Sequence, residues 1–214
     1  MLATMPDAAP EHEPPPDFTQ TIDLVQRAQG GDREAVQQLF SRYYERVRRI
    51  VRLRLGRALR TKLDSNDILQ EVFVEALKGL GRFQMVNKGS FINWLARMAE
   101  HRIRDEADRF GAAKRDSARE VPILAWEDTS GLDRGLTASG LAPPDGVERA
   151  DEIRRLEDAI EQLPPEDREL VIWRVYADAD WATVARETER ASPDAARVAF
   201  SSTIKKLARL MGEG

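Results

Sequence analysis

Apolar residues recur every three or four positions along most of the chain, with charged and polar residues between them. This spacing places the apolar side chains on one face of an α-helix, which can then pack against a core. The pattern predicts helices at residues 22–28, 32–53, 67–77, 91–110, 153–163, 165–175, 181–187 and 193–211. We therefore predict an all-α fold.

The helix predicted at residues 67–77 has an apolar face and an acidic edge. Its apolar face consists of Ile68, Leu69, Val72, Phe73, Ala76 and Leu80. The other side carries acidic and amide side chains, which include Asp67, Gln70, Glu71 and Glu75. We expect Ser65 or Asn66 to cap the start of this helix and Gly79 and Gly81 to end it. A short helix with fixed ends holds its acidic edge in one orientation.

Two segments lack a helical period. Residues 1–20 are rich in proline and acid, which favours disorder, and they resemble neither a signal peptide nor a membrane anchor. Residues 112–147 are rich in Gly, Ser, Pro and Asp, and a loop of that length is unusual within one compact domain. We therefore predict two helical domains, at 21–111 and 148–214, joined by a flexible linker in a cytoplasmic protein.

Arginines are concentrated in one segment of a chain whose formal net charge is −4. Between residues 42 and 62 the only acid is Glu45, and the arginines are Arg42, Arg46, Arg48, Arg49, Arg52, Arg54, Arg57 and Arg60. A surface of this kind suits contact with phosphates or with a protein partner. A solvated arginine-rich helix has the same composition, and the sequence leaves both interpretations open.

The sequence does not have the motifs of the common enzyme classes. The chain contains no cysteine, so it has no thiolate metal site, and its two histidines are too few for a His-cluster zinc site. A carboxylate pair such as Asp67 and Glu71, four residues apart on a helix, is most simply solvated. We predict a protein that is not an enzyme and that has no metal site and no cofactor.

The pattern after residue 180 is that of a helix-turn-helix. A short helix is predicted at residues 181–187, and Ser192 followed by Pro193 is a strong start signal for the long last helix. The second helix of this motif usually enters the major groove of DNA. The second domain is therefore predicted to bind duplex DNA.

Aromatic residues surround the loop before the helix predicted at residues 91–110. Trp94 lies at helical spacing with apolar neighbours, which favours a position in the core. Phe83 and Phe91 flank the loop and are the aromatic residues that we expect to meet a DNA base.

Four stretches of the chain, taken in order, resemble an extracytoplasmic-function (ECF) sigma factor. They are DLVQRAQGGDREA at 23–35, DILQEVFVEAL at 67–77, GSFINWLARMA at 89–99 and LPPEDRE at 163–169. The resemblance covers most of residues 22–110 and 150–211. It implies a sigma region 2-like helical bundle followed by a sigma region 4-like helix-turn-helix domain.

The resemblance also implies three binding surfaces. The polymerase-binding residues would be Asp67, Gln70, Glu71 and Glu75. The residues at the minus-ten promoter element would be Phe83, Asn87, Lys88, Phe91, Arg97, His101 and Arg104. The residues at the minus-thirty-five element would be Ser192, Arg197, Ser201 and Lys205. His101 stands where the family often has asparagine, and the turn at residues 188–191 has no glycine. The DNA-base preference of the family therefore cannot be assigned to this chain.

On this interpretation the chain is a specificity subunit that binds core RNA polymerase, directs it to promoter DNA and promotes melting. An anti-sigma factor is a further expected partner, and no membrane insertion is expected. The first alternative is a stand-alone helix-turn-helix regulator with an N-terminal sensor or dimerisation domain, which would bind paired half-sites as a symmetric dimer. The second is a helical adaptor with no role on DNA.

Overall fold

A computed structural model of the protein describes residues 18–87, 89–117 and 145–212. The α-helices in these ranges are α1 (Phe18–Gln29), α2 (Arg33–Arg60), α3 (Ser65–Gly79), α4 (Ser90–Ser117), α5 (Asp145–Glu161), α6 (Pro165–Val171), α7 (Trp181–Glu187) and α8 (Pro193–Gly212). A 3₁₀ turn, Leu80–Arg82, follows α3, and a π segment, Ile172–Tyr176, follows α6. The described residues form no strand, and the predicted all-α fold is confirmed.

The first domain is a bundle in which α2 contacts α1, α3 and α4. As predicted, Asp32 caps α2, because its carboxylate accepts hydrogen bonds from the amides of Glu34 and Ala35 at 2.9 and 3.1 Å. Buried apolar side chains from three of these helices fill the centre, among them Leu39, Val47, Ile50, Val72 and Leu95. The burial of these side chains holds α3 and α4 side by side.

Helix α3 begins at Ser65, two residues earlier than predicted. Asp64, and not Ser65 or Asn66, is its N-cap, and the Asp64 carboxylate accepts a hydrogen bond from the Asn66 amide at 2.7 Å. The predicted apolar face is confirmed, because Ile68, Leu69, Val72 and Ala76 are buried. The helix ends at Gly79, as the sequence indicated.

Helix α2 extends past its predicted end and bends at Gly56. The sequence predicted a polar connection at residues 56–66, but the helix runs to Arg60 across a kink where Gly56 has φ of 57°. Glycine reaches this left-handed conformation without a steric penalty. Next to the kink, Arg168 of the second domain donates a hydrogen bond to the Leu53 carbonyl at 3.2 Å.

The second domain comprises α5 to α8 and ends in the predicted helix-turn-helix. Pro165 is the first residue of α6, as expected, and the Asp180 carboxylate caps α7 by accepting from the Thr183 amide at 2.7 Å. In the turn, Glu189 has φ of 54°, the left-handed conformation for which glycine is favoured. Glu189 therefore takes the backbone role that a glycine would otherwise fill.

Two of the sequence predictions concern residues that lie outside the described ranges. The proline-rich tail, apart from residues 18–20, and most of the predicted linker at 112–147 fall there. The linker and the domain limits at 111 and 148 remain predictions, although α4 continues to Ser117 and α5 begins at Asp145. Within the part of the chain that is described, no helix combines the length and apolar character needed to cross a membrane.

Candidate nucleic-acid and protein interfaces

An open cleft of about 710 Å³ lies between α3 and α4, and the acidic edge of α3 forms one wall. Its lining residues are Asp67, Gln70, Glu71, Val74, Glu75, Lys78, His101, Arg102 and Asp105. All four residues predicted to bind polymerase are therefore brought together. They form one continuous surface rather than scattered charges.

Arg102 reduces the free negative charge of this cleft. Its Nε lies 3.4 Å from Glu71 Oε2 and 3.5 Å from Glu75 Oε2, so one guanidinium bridges two successive acids of α3. Asp67 lies one turn before Glu71 and is exposed. Asp67 is consequently the acid at this edge that is best placed to meet a cation on a partner.

Two apolar side chains beside the acidic edge are also exposed. Val74 and Leu77 each retain 52% of their accessible surface. A protein interface needs apolar contact as well as charge. Val74 and Leu77 were not predicted as interface residues. Two apolar side chains outside the apolar face that packs in the core were the signal in the sequence.

Ser90 shapes the loop before α4. Its Oγ accepts hydrogen bonds from the amides of Val86 at 3.0 Å and Asn87 at 2.7 Å, and it donates to Asn87 Oδ1 at 3.0 Å. The side chain of Asn87 is exposed at the tip of this turn. Lys88, also predicted at the minus-ten element, lies outside the described residues.

The aromatic residues around the loop are divided between core and surface. Phe91 is fully buried and packs against Tyr43 and Phe83, with ring centroids 5.0 and 5.3 Å away. A buried ring presents no face to a base, so the prediction that Phe91 meets DNA is wrong for this arrangement. Phe83 and Trp94 are half-buried and stack on each other at 4.7 Å.

Trp94 is the site residue that the sequence interpretation missed. One part of its ring packs near Gly79, where an added Cβ would lie 2.9 Å away, and the rest lines a cavity of about 670 Å³ with the loop. Asn93, a residue only 7% exposed, also lines this cavity, and its side-chain oxygen is buried without a hydrogen-bond partner among the described residues. An aromatic face next to an unpaired polar group suits a nucleic-acid base.

The other residues predicted at the minus-ten element are not all at this cavity. Arg97 lines it and pairs with Glu187 of the second domain, with 3.0 Å between Nη2 and Oε1. His101 instead lines the acidic cleft. Arg104 is exposed and pairs with Glu100 at 2.6 Å.

Helix α8 presents a polar outer face. Arg197, Ser201 and Lys205 are exposed on it, as a DNA-reading helix requires. Arg197 is held by Asp194 at 2.9 Å, and its guanidinium lies 5.8 Å from the centroid of the Trp181 ring. Ser192 has a structural role, because its Oγ accepts a hydrogen bond from the Ala195 amide at 3.1 Å.

Lys206, the neighbour of Lys205 on α8, binds another residue of the protein. Its Nζ donates to the buried carboxylate of Asp167 at 2.6 Å, and Thr203 donates to the other oxygen at 2.9 Å. Burial acts to raise the pKa of Asp167, but these two hydrogen bonds, together with the positive charges of Lys206 and Arg190, outweigh burial and hold the pKa below its ordinary value. Lys206 therefore anchors α8 to α6.

Three arginines of the arginine-rich segment of α2 bind the second domain. Arg54 donates from Nη2 to Glu169 of α6 at 3.0 Å, and Arg60 pairs with Glu161 of α5 at 2.6 Å. Arg46 donates to the Tyr176 carbonyl at 3.0 Å. These three side chains are therefore neither solvated nor free to bind phosphates.

Together these features define a class of protein. A helical bundle with an acidic cleft and an aromatic cavity beside a polar loop, followed by a helix-turn-helix, is the arrangement expected of a DNA-binding protein that also contacts a protein partner. Among the described residues, no three histidine, aspartate or glutamate side chains are grouped as a metal site would require.

Comparison with known proteins identifies the family. The family model described as "ECF sigma factor" matches residues 16–186, which is most of the chain. The chain therefore belongs to the ECF sigma factor family. It is an RNA polymerase sigma factor that acts in transcription initiation, and the first of the three sequence interpretations is confirmed.

Curated relatives agree with this assignment. The chain is 29% identical to the ECF RNA polymerase sigma factor SigD of Mycobacterium tuberculosis over 190 residues, which cover 86% of this chain and 80% of SigD. It is 28% identical to the RNA polymerase sigma factor CarQ of Myxococcus xanthus, over 88% of this chain and 96% of CarQ. Among solved structures, CnrH in complex with the cytosolic domain of CnrY matches the fold with a TM-score of 0.52 at 17% identity, covering 92% of this chain and 99% of CnrH.

Proposed function

We propose that the chain binds core RNA polymerase through the acidic cleft and binds promoter DNA through two further surfaces, one on each domain. The observation that carries this proposal is the grouping of Asp67, Gln70, Glu71 and Glu75 on one wall of a cleft in a family member. Opposite charge on a rigid helix orients a partner and speeds association, while Val74 and Leu77 supply apolar contact. The expected partner surface is basic and helical.

The second surface is the cavity formed by the loop at residues 83–90 and by Trp94. A base that leaves the duplex loses stacking worth a few kcal/mol, and a pocket with an aromatic wall offsets that loss. Phe83 and Trp94 supply the wall, Asn87 and Asn93 supply polar groups, and Arg97 supplies a cation for a phosphate or a base edge. We assign the minus-ten element to this cavity.

The third surface is the outer face of α8. Arg197 and Ser201 lie one turn apart and are exposed, so both reach base edges in a major groove. Lys205, one further turn along, is suited to phosphate contact. We assign the minus-thirty-five element to this face.

We infer that the protein acts in the cytoplasm and is not itself an enzyme, because a sigma factor works by binding polymerase and DNA. The solved structure of CnrH is a complex with the cytosolic domain of CnrY, and an anti-sigma factor is a proposed further partner of this chain.

Reconstituted transcription tests the function as a whole. Purified chain is mixed with core RNA polymerase and a library of genomic promoter fragments, and the 5′ ends of the transcripts are sequenced. We expect initiation at a limited set of fragments that share two spaced motifs. Core polymerase alone is the control, and an identical transcript pattern with and without the chain would contradict the proposal.

A further inference from the structure

One apolar side chain interrupts the polar outer face of α8. Val198 retains 72% of its accessible surface, while the opposite face of the helix packs on the domain through Ala196, Thr203 and Leu207. The helix-turn-helix therefore does not use Val198 for its own core. Single exposed apolar residues are common on protein surfaces, so exposure alone does not define a site.

The folding of α8 does not favour a valine at this position. Valine is β-branched, so it loses side-chain rotamers in a helix, and its intrinsic helix propensity is lower than that of alanine. An exposed side chain gains little packing within the protein to offset this loss. Val198→Ala should consequently leave α8 at least as stable, so the effect of this substitution on binding can be measured without a loss of folding.

The neighbours of Val198 on the helix surface are hydroxyl groups and cations. Residues three, four and seven positions apart lie on one helical face. At these spacings Val198 is followed by Ser201, Ser202 and Lys205, all of which are exposed. Arg197, also exposed, directly precedes it. An apolar group is thus surrounded by hydrogen-bonding groups near the start of the helix, where a helix-turn-helix contacts base edges.

This combination of groups matches the major-groove edge of an A·T base pair. Thymine presents its O4 acceptor and its C5-methyl group there, and adenine presents the N7 acceptor and the N6 donor. A serine hydroxyl can donate to or accept from these atoms, and an apolar side chain packs on the methyl group. Cytosine has a hydrogen atom in place of that methyl group, so Val198 would lose its contact at a G·C pair.

We propose that Val198 recognises the C5-methyl group of a thymine in the minus-thirty-five element, beside the contacts of Arg197 and Ser201. This inference rests on the proposed function of α8 and adds a specificity-determining residue to it. Burial of one methyl group changes affinity about fourfold. Val198 therefore sets which base pair is preferred at one position and has little effect on binding to DNA that does not contain the element.

Selection from randomised DNA identifies the base pair. Core RNA polymerase is assembled with the unchanged chain or with Val198→Ala, and each complex selects promoter duplexes that are randomised across the minus-thirty-five element. We expect Val198→Ala to lose the preference for thymine at one position and to keep the preferences at the others. Selection of the same motif by both complexes, or a changed position that held no thymine, would overturn the proposal.

Val175→Ala is the matched control for this selection. It is the same substitution at an exposed residue of the same domain, in the π segment rather than on α8. The complex with this variant should select the motif of the unchanged chain. If Val175→Ala loses the same thymine preference, the effect does not come from the face of α8 and the proposal is overturned.

Base analogues isolate the methyl group at the selected position. Uracil is thymine without the C5-methyl group, and 5-methylcytosine is cytosine with it. Replacing thymine by uracil should weaken binding of the unchanged complex about fourfold, and replacing cytosine by 5-methylcytosine should strengthen binding by a similar factor. Both differences should disappear with Val198→Ala. Equal affinity of the unchanged complex for the thymine and uracil duplexes would overturn the proposal.

Three outcomes separate this inference from the proposed function. If Arg197→Ala reduces discrimination while Val198→Ala selects an unchanged motif, α8 reads the element and Val198 does not. If the complex with the unchanged chain selects no motif, the proposed function fails and the inference fails with it. If Val198→Ala weakens binding to core polymerase in the absence of DNA, Val198 contacts protein and the proposal is overturned.

Discussion

The buried carboxylate of Asp167 holds α8 in place. It is 6% exposed and accepts hydrogen bonds from Thr203 and Lys206 of α8. These bonds overcome burial and lower its pKa in the folded state. Since the folded-state pKa is lower than that of the unfolded chain, near 3.9, the stability from this group is present above about pH 4 and is lost as the pH falls through the folded-state value.

The first prediction concerns this carboxylate. Asp167→Asn should reduce the free energy of unfolding by about 1.5–3 kcal/mol at pH 7, because hydrogen bonds to a charged group are lost in a buried site. The deficit should shrink as the pH falls below 4, where the native carboxyl also becomes neutral. Urea unfolding at pH 7 and pH 3 measures this loss in the free energy of unfolding.

Asp151→Asn is the matched control, because Asp151 forms an ion pair in which both side chains are exposed. Its effect should stay within about 0.5 kcal/mol at either pH. A deficit in Asp167→Asn that is the same at pH 7 and pH 3 would contradict the role of the charge.

The predictions about DNA binding concern α8 and the loop before α4. Arg197→Ala should weaken binding to a duplex with the minus-thirty-five motif by about 1–3 kcal/mol and reduce discrimination against a scrambled duplex, because a base-edge contact is lost. Affinity for core polymerase should not change. Fluorescence anisotropy over a series of salt concentrations measures both effects.

Arg209→Ala removes the same charge from the last turn of the same helix, where the side chain is also exposed. It should weaken binding to both duplexes equally. If the two variants behave alike, Arg197 contacts phosphate rather than a base.

A further prediction concerns Trp94. Trp94→Leu should reduce promoter melting about tenfold, because stacking on an aromatic ring stabilises an unpaired base by about 1–3 kcal/mol. Fluorescence of 2-aminopurine placed in the minus-ten element measures melting. Phe91→Leu, a change at a buried ring of the same cluster, should lower stability without a selective loss of melting; a reversed order of effects would contradict the assignment.

At the scale of these elements, periodicity predicted most helices and the buried face of α3. An apolar stripe on a helix is stable only when it packs against the core of the bundle. It did not distinguish Phe91 from Trp94. Both lie at helical spacing, and long-range packing decides which ring is covered: Phe91 packs on Tyr43 of α2, whereas Trp94 stacks on Phe83 of the loop. The predicted helix stopped at residue 53 because the residues from 56 to 66 are mostly polar, whereas α2 continues across the kink at Gly56 to Arg60.

For the whole molecule, sequence patterns did not predict which residues the arginines of α2 contact. Arg54 and Glu169 are separated by 115 residues, and nothing in either helix marks the other as its partner. The same limit applies to Arg97 and Glu187. Local patterns encode which face of a helix is polar, but long-range contacts determine what that face meets.

With the proposed assignments, the three surfaces would let one short chain connect polymerase to two DNA elements. The acidic cleft and the aromatic cavity share α4, so one helix would carry residues of both the polymerase site and the minus-ten site. The helix-turn-helix contributes few cations and gains effective concentration by being tethered to the same complex.

The affinity of the chain for core RNA polymerase tests the central assignment most directly. Asp67→Lys should weaken binding about tenfold or more, because it reverses the exposed charge at the edge of the cleft. Glu34→Lys reverses an exposed acid in the first turn of α2 that does not line the cleft, and this variant should bind like the unchanged chain. Equal affinities for all three proteins would contradict the assignment of the acidic cleft as the polymerase-binding surface.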